Sequence, residues 1–394
     1  MGMRGTAVLV ALAMASPGAV QAQEGDPLAG RQVRVARDST SPLHLNAARA
    51  RFSAVYLGGG LYLTANHFPQ EGVVTEVTRA AGLAAEDGAV QAVDAHITLP
   101  EDPGTWRQFL DRSGGALDPA FDLAVKVGPA DTRSGARLLL AADPVDYAGQ
   151  VTFVGYAVAM DNALVERTGE IPPGRLVPRQ IAGRAGAFFV AEGARVTGGM
   201  SGGGMWLKLG GRDYLAGIAV RAGDGITFAS AIAPFYGEIA ALAEAEGRAA
   251  DHFARPLLLA GQRAGSAATQ LRGGFFNEDL VGGPNDDVLA GGAGDDLLIG
   301  GPGNDVMSGG PGADVFAFAG APTGDDQIAE FAPAEDSLHL PQDDVTMEML
   351  LRASGRTEEG HLVLRLPAGR VLIAGPGGDV LPDDALSEAN LTAD

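Results

Sequence analysis

The sequence predicts an all-β protein in two unlike halves, and three observations carry that prediction. Between residues 30 and 250, short apolar stretches alternate with Gly, Pro and Asp turns, and only Pro234–Gly247 has the length and composition of a helix. From Gly273 a nine-residue period sets in, rich in glycine and with a large apolar residue near the end of each block. Acidic charge gathers in that same region: residues 273–394 hold 23 acidic and 4 basic side chains, whereas residues 1–272 hold 26 and 24.

Composition narrows the functions available. A chain of 394 residues with 46% hydrophobic content has room for two or three domains with cores, and its 20% charged content is not that of a coiled coil. The net charge of −21 argues against nucleic acid and anionic membrane as partners, since both attract basic surfaces. With no cysteine there is no disulfide, no thiolate nucleophile and no cysteine-bound zinc or iron–sulfur centre. The acidic block repels itself unless cations compensate it, so multivalent metal is the first partner to consider.

Residues 1–22 carry one early charge at Arg4, the apolar run Thr6–Ala15, Pro17 and then Val20-Gln21-Ala22. Small residues at −3 and −1 of a cut after Ala22 fit a secretory signal peptide. The run is shorter than the ~20 residues that span a bilayer, and no later segment reaches that length without charges. The expectation is an exported protein, extracellular or periplasmic, with no integral membrane segment in its mature chain. Without cysteine it must rely on its core or on bound metal rather than on disulfides.

The repeat blocks are GGFFNEDLV at 273, GGPNDDVLA at 282, GGAGDDLLI at 291, GGPGNDVMS at 300 and GGPGADVFA at 309. Glycine permits turns at positive φ, and the aspartate at position six offers carboxylate oxygen to a hard cation. Position eight is filled by Leu280, Leu289, Leu298, Met307 and Phe316, each starting a short strand that points into a thin core. A flexible Gly/Asp linker would keep neither the period nor these apolar residues.

The last three blocks match G-G-x-G-x-D-x-U-x (U, a large apolar residue) throughout and resemble the nonapeptide of RTX (hemolysin-type) calcium-binding parallel β-rolls. In that family each nonapeptide makes half a coil. The resemblance therefore pairs Asp287 with Asp305 and Asp296 with Asp314 around shared calcium ions, and Glu278 with Asp296 in a weaker first site. The first two blocks depart, with Phe276 and Asn285 in place of the second-motif glycine and Glu278 in place of aspartate, and read as an irregular cap. Asn285 tolerates the left-handed region. The expected roll spans 273–317.

Residues 318–394 then read as its closing segment and a possible export region. The runs Asp314-Val-Phe-Ala-Phe and 324–340 look like the end of secreted RTX rolls, followed by a helix at Val345–Ala353 and strands at His361–Leu366 and Arg370–Ala374. This resembles the C-terminal region of type I secretion substrates, which normally lack an N-terminal signal peptide, so the two ends imply different export routes.

Three places between residues 30 and 250 carry chemistry. Ala54–His67 reads as strand, glycine turn and strand, ending in Thr64-Ala65-Asn66-His67. Phe121-Asp122-Leu-Ala-Val-Lys-Val127 sets an aspartate at the head of an alternating strand. Thr197-Gly-Gly-Met-Ser201-Gly-Gly203 is a glycine-flanked serine between apolar strands. Each alone is weak, but His67, Asp122 at +55 and Ser201 at +79 stand in the order of the trypsin-like (chymotrypsin-fold) serine peptidases, which this segment resembles. The resemblance implies a double β-barrel, a catalytic triad of those three residues, an oxyanion hole from the amides of Gly199 and Ser201, and a protein or peptide substrate.

Departures from that family limit what carries over. Met200 replaces the acidic residue before the serine, and no Ile-Val-Gly-Gly-like terminus follows the signal, so activation by N-terminal insertion is not expected. Arg195 aligns with the base of the substrate pocket, which argues against Lys/Arg specificity and suggests Asp/Glu. No H-E-x-x-H occurs, which excludes a zinc peptidase of the serralysin kind. Residues 30–250 are thus expected to be the peptidase domain and 251–272 a linker. The competing expectation is a non-catalytic calcium-binding surface or adhesion protein on a degenerate peptidase fold.

Overall fold

The computed structural model describes residues 32–37, 50–65, 74–86, 89–98, 107–109, 118–127, 135–157, 163–181, 183–262, 266–318, 324–340, 354–366 and 369–392. The segment 1–22, His67 and the helix expected at 345–353 lie outside these residues. The described residues fall into two compact units. One holds those before Leu139 and those of 147–254, and the other holds 139–146 with those from Arg255 onward.

In the first unit, β1 (Gln32–Arg37), β2 (Ala50–Gly58), β3 (Leu61–Thr64), β4 (Val74–Glu86), β5 (Ala89–Thr98), β6 (Arg107–Phe109) and β7 (Ala124–Val127) form an antiparallel sheet in the order β5-β4-β1-β2-β3-β7-β6. Strand β8 (Leu139–Ala141) belongs to the other unit. A second antiparallel sheet follows: β9 (Gly149–Ala157), β10 (Ala163–Ile171), β11 (Leu176–Ile181), β12 (Arg184–Glu192), β13 (Gly204–Leu209), β14 (Arg212–Gly223) and β15 (Ile226–Ala231). Its order is β10-β9-β13-β14-β15-β12-β11, and a further pairing of β10 with β12 closes six of these strands into a barrel.

Local sequence explains the hairpins. The two-residue loops Gly210-Gly211 and Asp224-Gly225 sit between paired residues Leu209↔Arg212 and Gly223↔Ile226, and all four loop residues have positive φ. Such turns match the twist of the strands they join, and Gly-Gly and Asp-Gly favour them. The barrel core is aromatic: Phe153, Phe189, Trp206 and Tyr214 are buried, and the Tyr147 ring meets Phe189 edge-on at 5.0 Å. The expected helix forms as α1 (Tyr236–Ala245).

The second unit is a parallel roll of two sheets. Strands β16 (Leu257–Leu259), β17 (Gln270–Arg272), β18 (Asp279–Val281), β19 (Val288–Ala290), β20 (Leu297–Ile299), β21 (Val306–Ser308) and β22 (Val315–Ala317) continue into β23 (Gly324–Ala329), β24 (Ser337–His339), β25 (Gly355–Arg356), β26 (Leu362–Leu366), β27 (Gly369–Ile373) and β28 (Leu391–Thr392). One sheet runs β28-β24-β22-β20-β18-β16-β8, parallel throughout. The other runs β17-β19-β21-β23-β27-β26-β25. From β18 to β22 successive strands alternate between the sheets, so each nonapeptide makes half a coil.

Register follows position eight of the repeat. Leu258, Leu280, Leu298, Phe316 and Leu338 stack in one column, and Leu271, Leu289, Met307 and Ile328 in the other; all are buried. The all-β class holds in both units, with a closed barrel and a parallel roll.

Two expectations about boundaries change. The stretch 251–272 contains β16 and β17, which are rungs of the roll rather than linker. Leu139–Ala141, inside the span assigned to the peptidase domain, pairs with β16 as the edge strand of the roll's parallel sheet. Both are rungs joined by turns without the GGxGxD signature, so a search for that period passes over them. Among the described residues no helix is long and apolar enough to cross a membrane.

Truncating the core column tests this register. Leu298→Ala is expected to destabilise the calcium-loaded protein by about 2–5 kcal/mol, against roughly 0.5 kcal/mol or less for Val306→Ala on the exposed face. Denaturant unfolding in calcium measures both, and equal losses would contradict the register.

Candidate functional site

The serine loop is fixed by hydrogen bonds to the strand before the histidine segment. Ser53 of β2 donates its amide to the Ser201 carbonyl at 3.2 Å and its hydroxyl to the Gly199 carbonyl at 2.9 Å. Thr64, the last residue of β3, donates its hydroxyl to the Ser53 carbonyl at 2.8 Å. Glycine is required at 202: its φ is +84°, and a Cβ there would strike the Ser53 carbonyl oxygen.

Within the loop the amides divide. Those of Met200, Gly202 and Gly203 donate to Thr197, Ala219 and Met200 carbonyls, at 3.1, 2.8 and 2.9 Å. Among the described residues the amides of Gly199 and Ser201 donate to nothing. The Ser201 hydroxyl is half-buried and, among the described residues, makes only a long 3.5 Å contact to the Val220 carbonyl.

Asp122 is buried two residues ahead of β7, whose Ala124 pairs with Thr64. The register thus brings the Asp122 end of β7 to the end of β3, from which the chain runs on to His67. Met200 is buried, and Arg195 is exposed. Sequence reasoning missed Ser53 and Thr64, which hold the loop through backbone contacts that no motif encodes.

In the roll, the acidic residues singled out from sequence meet at a spacing of 18. The amides of Glu278, Asp287 and Asp296 donate to the carboxylates of Asp296, Asp305 and Asp314, at 2.7, 2.8 and 2.8 Å. The ladder continues past the repeats: the Asp305 amide donates to Asp326 at 3.0 Å and the Asp314 amide to Asp336 at 3.1 Å. Sequence reasoning missed Asp326 and Asp336. Their signal was present as Asp-x-Ile and Asp-x-Leu, the spacing also seen in Asp305-Val-Met307.

All these carboxylates are buried. Burial, reinforced by the facing Glu278 carboxylate, pushes Asp296 up to about 9. Asp305 and Asp314 rise to about 7, again through burial, against the opposing pull of the amides they accept from. Burial also raises Asp326 and Asp336.

The residues present fit a hard cation. The second oxygens of Asp305 and Asp314 are buried and accept no hydrogen bond among the described residues. A Cβ on Gly300 or Gly309 would collide with those oxygens, so only glycine leaves the space before them open. Among the described residues no three His, Asp or Glu side chains converge on one point. The shell of an ion here would therefore draw on backbone carbonyls as well as carboxylates, as calcium accepts. Asn285 does not use the left-handed region; its amide donates to the Ser266 carbonyl at 2.7 Å.

These shifts set a pH dependence. Unfolded carboxylates titrate near 4, whereas folded Asp305, Asp314 and Asp296 hold their protons to about 7 and 9 without metal. The folded roll then binds more protons, so its stability falls as pH rises from about 4 through 7–9. Calcium-free protein is expected to lose unfolding midpoint between pH 5 and pH 9, and calcium to restore it most at pH 9. Thermal unfolding by circular dichroism checks this, and a midpoint that rises with pH in calcium-free buffer would contradict it.

Comparison with known proteins bears on both units. Residues 281–316 match the family described as the RTX calcium-binding nonapeptide repeat, in four copies. No curated protein matches the chain. Among solved structures, the active form of the Rv3671c protease from M. tuberculosis aligns at 17% identity and a TM-score of 0.36, covering 54% of this chain and 81% of that one. The HtrA-type protease AlgW with a tripeptide aligns at 18% and 0.35, covering 56% of this chain and 62% of that one. The segment 281–316 of this chain is an array of RTX repeats, and calcium is the ion such repeats bind.

Proposed function

We propose that the chain is a secreted serine endopeptidase whose C-terminal roll folds on calcium. The observation that carries this reading is the division of amides in the serine loop. Gly199 and Ser201 leave their N–H groups undonated among the described residues, while those of Met200, Gly202 and Gly203 are engaged. Two such amides beside a nucleophile are what stabilisation of a tetrahedral oxyanion requires.

In this mechanism Ser201 attacks the scissile carbonyl and His67 takes its proton, later passing it to the leaving amine. Asp122 orients the imidazole and stabilises its cation. Burial of Asp122 at the head of β7 supports that role, since a carboxylate removed from solvent acts more strongly on a neighbouring cation. Arg195 would favour acidic side chains in the substrate. Calcium, when bound, supplies the charge that lets the acidic roll fold, and extracellular millimolar levels suit weak sites of about 10⁻⁴–10⁻³ M.

Hydrolysis of an unbiased peptide library by the calcium-loaded chain, beside Ser201→Ala, tests the proposal. Ser201→Ala is expected to lower kcat by a factor on the order of 10⁵–10⁶, with folding unchanged. Cleavage after Asp/Glu is expected, and cleavage after apolar residues would remove the role given to Arg195. Equal inertness of both folded proteins would favour the non-catalytic calcium-binding reading.

A further inference from the structure

We propose that the acidic turns of the roll are of two kinds: those of Asp296, Asp305 and Asp314 take calcium, whereas those of Asp287 and Asp336 are closed by the protein's own N–H groups and need none. The proposal rests on the calcium-binding reading of the roll and deepens it by assigning ions turn by turn.

The three calcium turns share one geometry. Their second and fourth glycines all have positive φ: Gly292 and Gly294 at 114° and 118°, Gly301 and Gly303 at 97° and 144°, Gly310 and Gly312 at 107° and 145°. Each aspartate gives one oxygen to the amide 18 residues earlier. The other oxygen of each is buried and accepts no hydrogen bond among the described residues. These side chains are 1%, 1% and 0% exposed, so bulk solvent does not reach them. A Cβ on Gly291, Gly300 or Gly309 would collide with that oxygen. A buried carboxylate oxygen facing an open cradle is ionised there when a cation fills the cradle, and hard cations take such oxygens.

The two closed turns answer the same demand internally. Asp287 accepts the Thr269 amide on one oxygen and the Gly283 amide on the other, both at 2.6 Å. Asp336 accepts the Asp314 amide at 3.1 Å and the Ala332 amide at 2.7 Å. In each, the donor four residues back places its N–H on the oxygen that the calcium turns leave open. Gly283 stays out of the left-handed region, and at 332 an alanine stands. Position four decides the class within the repeats: glycine in the calcium turns, Asn285 in the closed one.

Carbonyls near both ends of the roll, and the Asp295 carbonyl beside the Asp296 turn, are also served by side chains. Arg255 donates to the Glu278 and Asp295 carbonyls at 2.8 Å each and pairs with Asp279, while Gln262 donates to the Gly282 carbonyl at 2.9 Å. At the far end Asn390 donates to the Pro333 and Asp336 carbonyls at 2.7 and 2.9 Å. Calcium-independent caps thus flank a calcium-requiring centre.

Equilibrium dialysis of the full chain against radioactive calcium, with single Asp→Asn variants, tests this. Asp296→Asn, Asp305→Asn and Asp314→Asn are each expected to lose bound calcium or to weaken binding at least about tenfold. Asp287→Asn and Asp336→Asn are expected to keep the wild-type number of ions, and a loss in either that equals that of Asp305→Asn overturns the proposal. Should these two variants fail to fold, amide exchange of the wild type in calcium-free buffer decides. Protection retained at Gly283 and Ala332 but lost at Asp296 supports the proposal, and uniform exchange overturns it. A wild type that binds no calcium defeats the underlying reading as well.

Discussion

A carboxylate buried in the roll must find positive charge, and the structure offers it either a backbone N–H or a metal ion. Seven acidic side chains, from Glu278 to Asp336, are stacked in two files and shielded from water. Six of them, Asp287 to Asp336, take an N–H from the turn below, and Glu278 takes that of Gly274 in its own turn, so the bonds tie turn to turn alongside the two apolar columns. The repeat is thus as much an electrostatic ladder as a hydrophobic one.

The other unit depends on a smaller constraint of the same character. The serine loop is pinned at the Gly199 and Ser201 carbonyls to a single residue, Ser53. Gly202 lies so close to that strand that no side chain fits. Tight packing behind the loop leaves freedom only at its front.

Much of this was legible in the sequence. The period of nine announced the coil, and Leu280 through Phe316 announced its core, because glycine turns and a fixed apolar position leave a signature in the chain itself. Rungs β8, β16 and β17 were not legible, since a three-residue strand, apolar as in β8 and β16 or with a single buried leucine as in β17, carries no pattern until its neighbour is known. For the same reason Asp326 and Asp336 escaped notice: they belong to the ladder by position in space, in segments where the period had lapsed. Ser53 and Thr64 act by touching backbone, which a motif does not record.

Strand β8 gives the molecule an unusual order of assembly along its length. It lies between the two sheets of the barrel-containing unit in sequence, yet its partner is Leu257–Leu259, more than a hundred residues later. The two units are therefore interleaved in the chain rather than joined end to end. Any ancestor made by simple concatenation would have lacked this rung, and a gene cut near residue 254 would leave Leu139–Ala141 as an orphaned apolar edge of the kind that recruits other chains. The roll is accordingly not a detachable cassette: part of it was written into the middle of its neighbour.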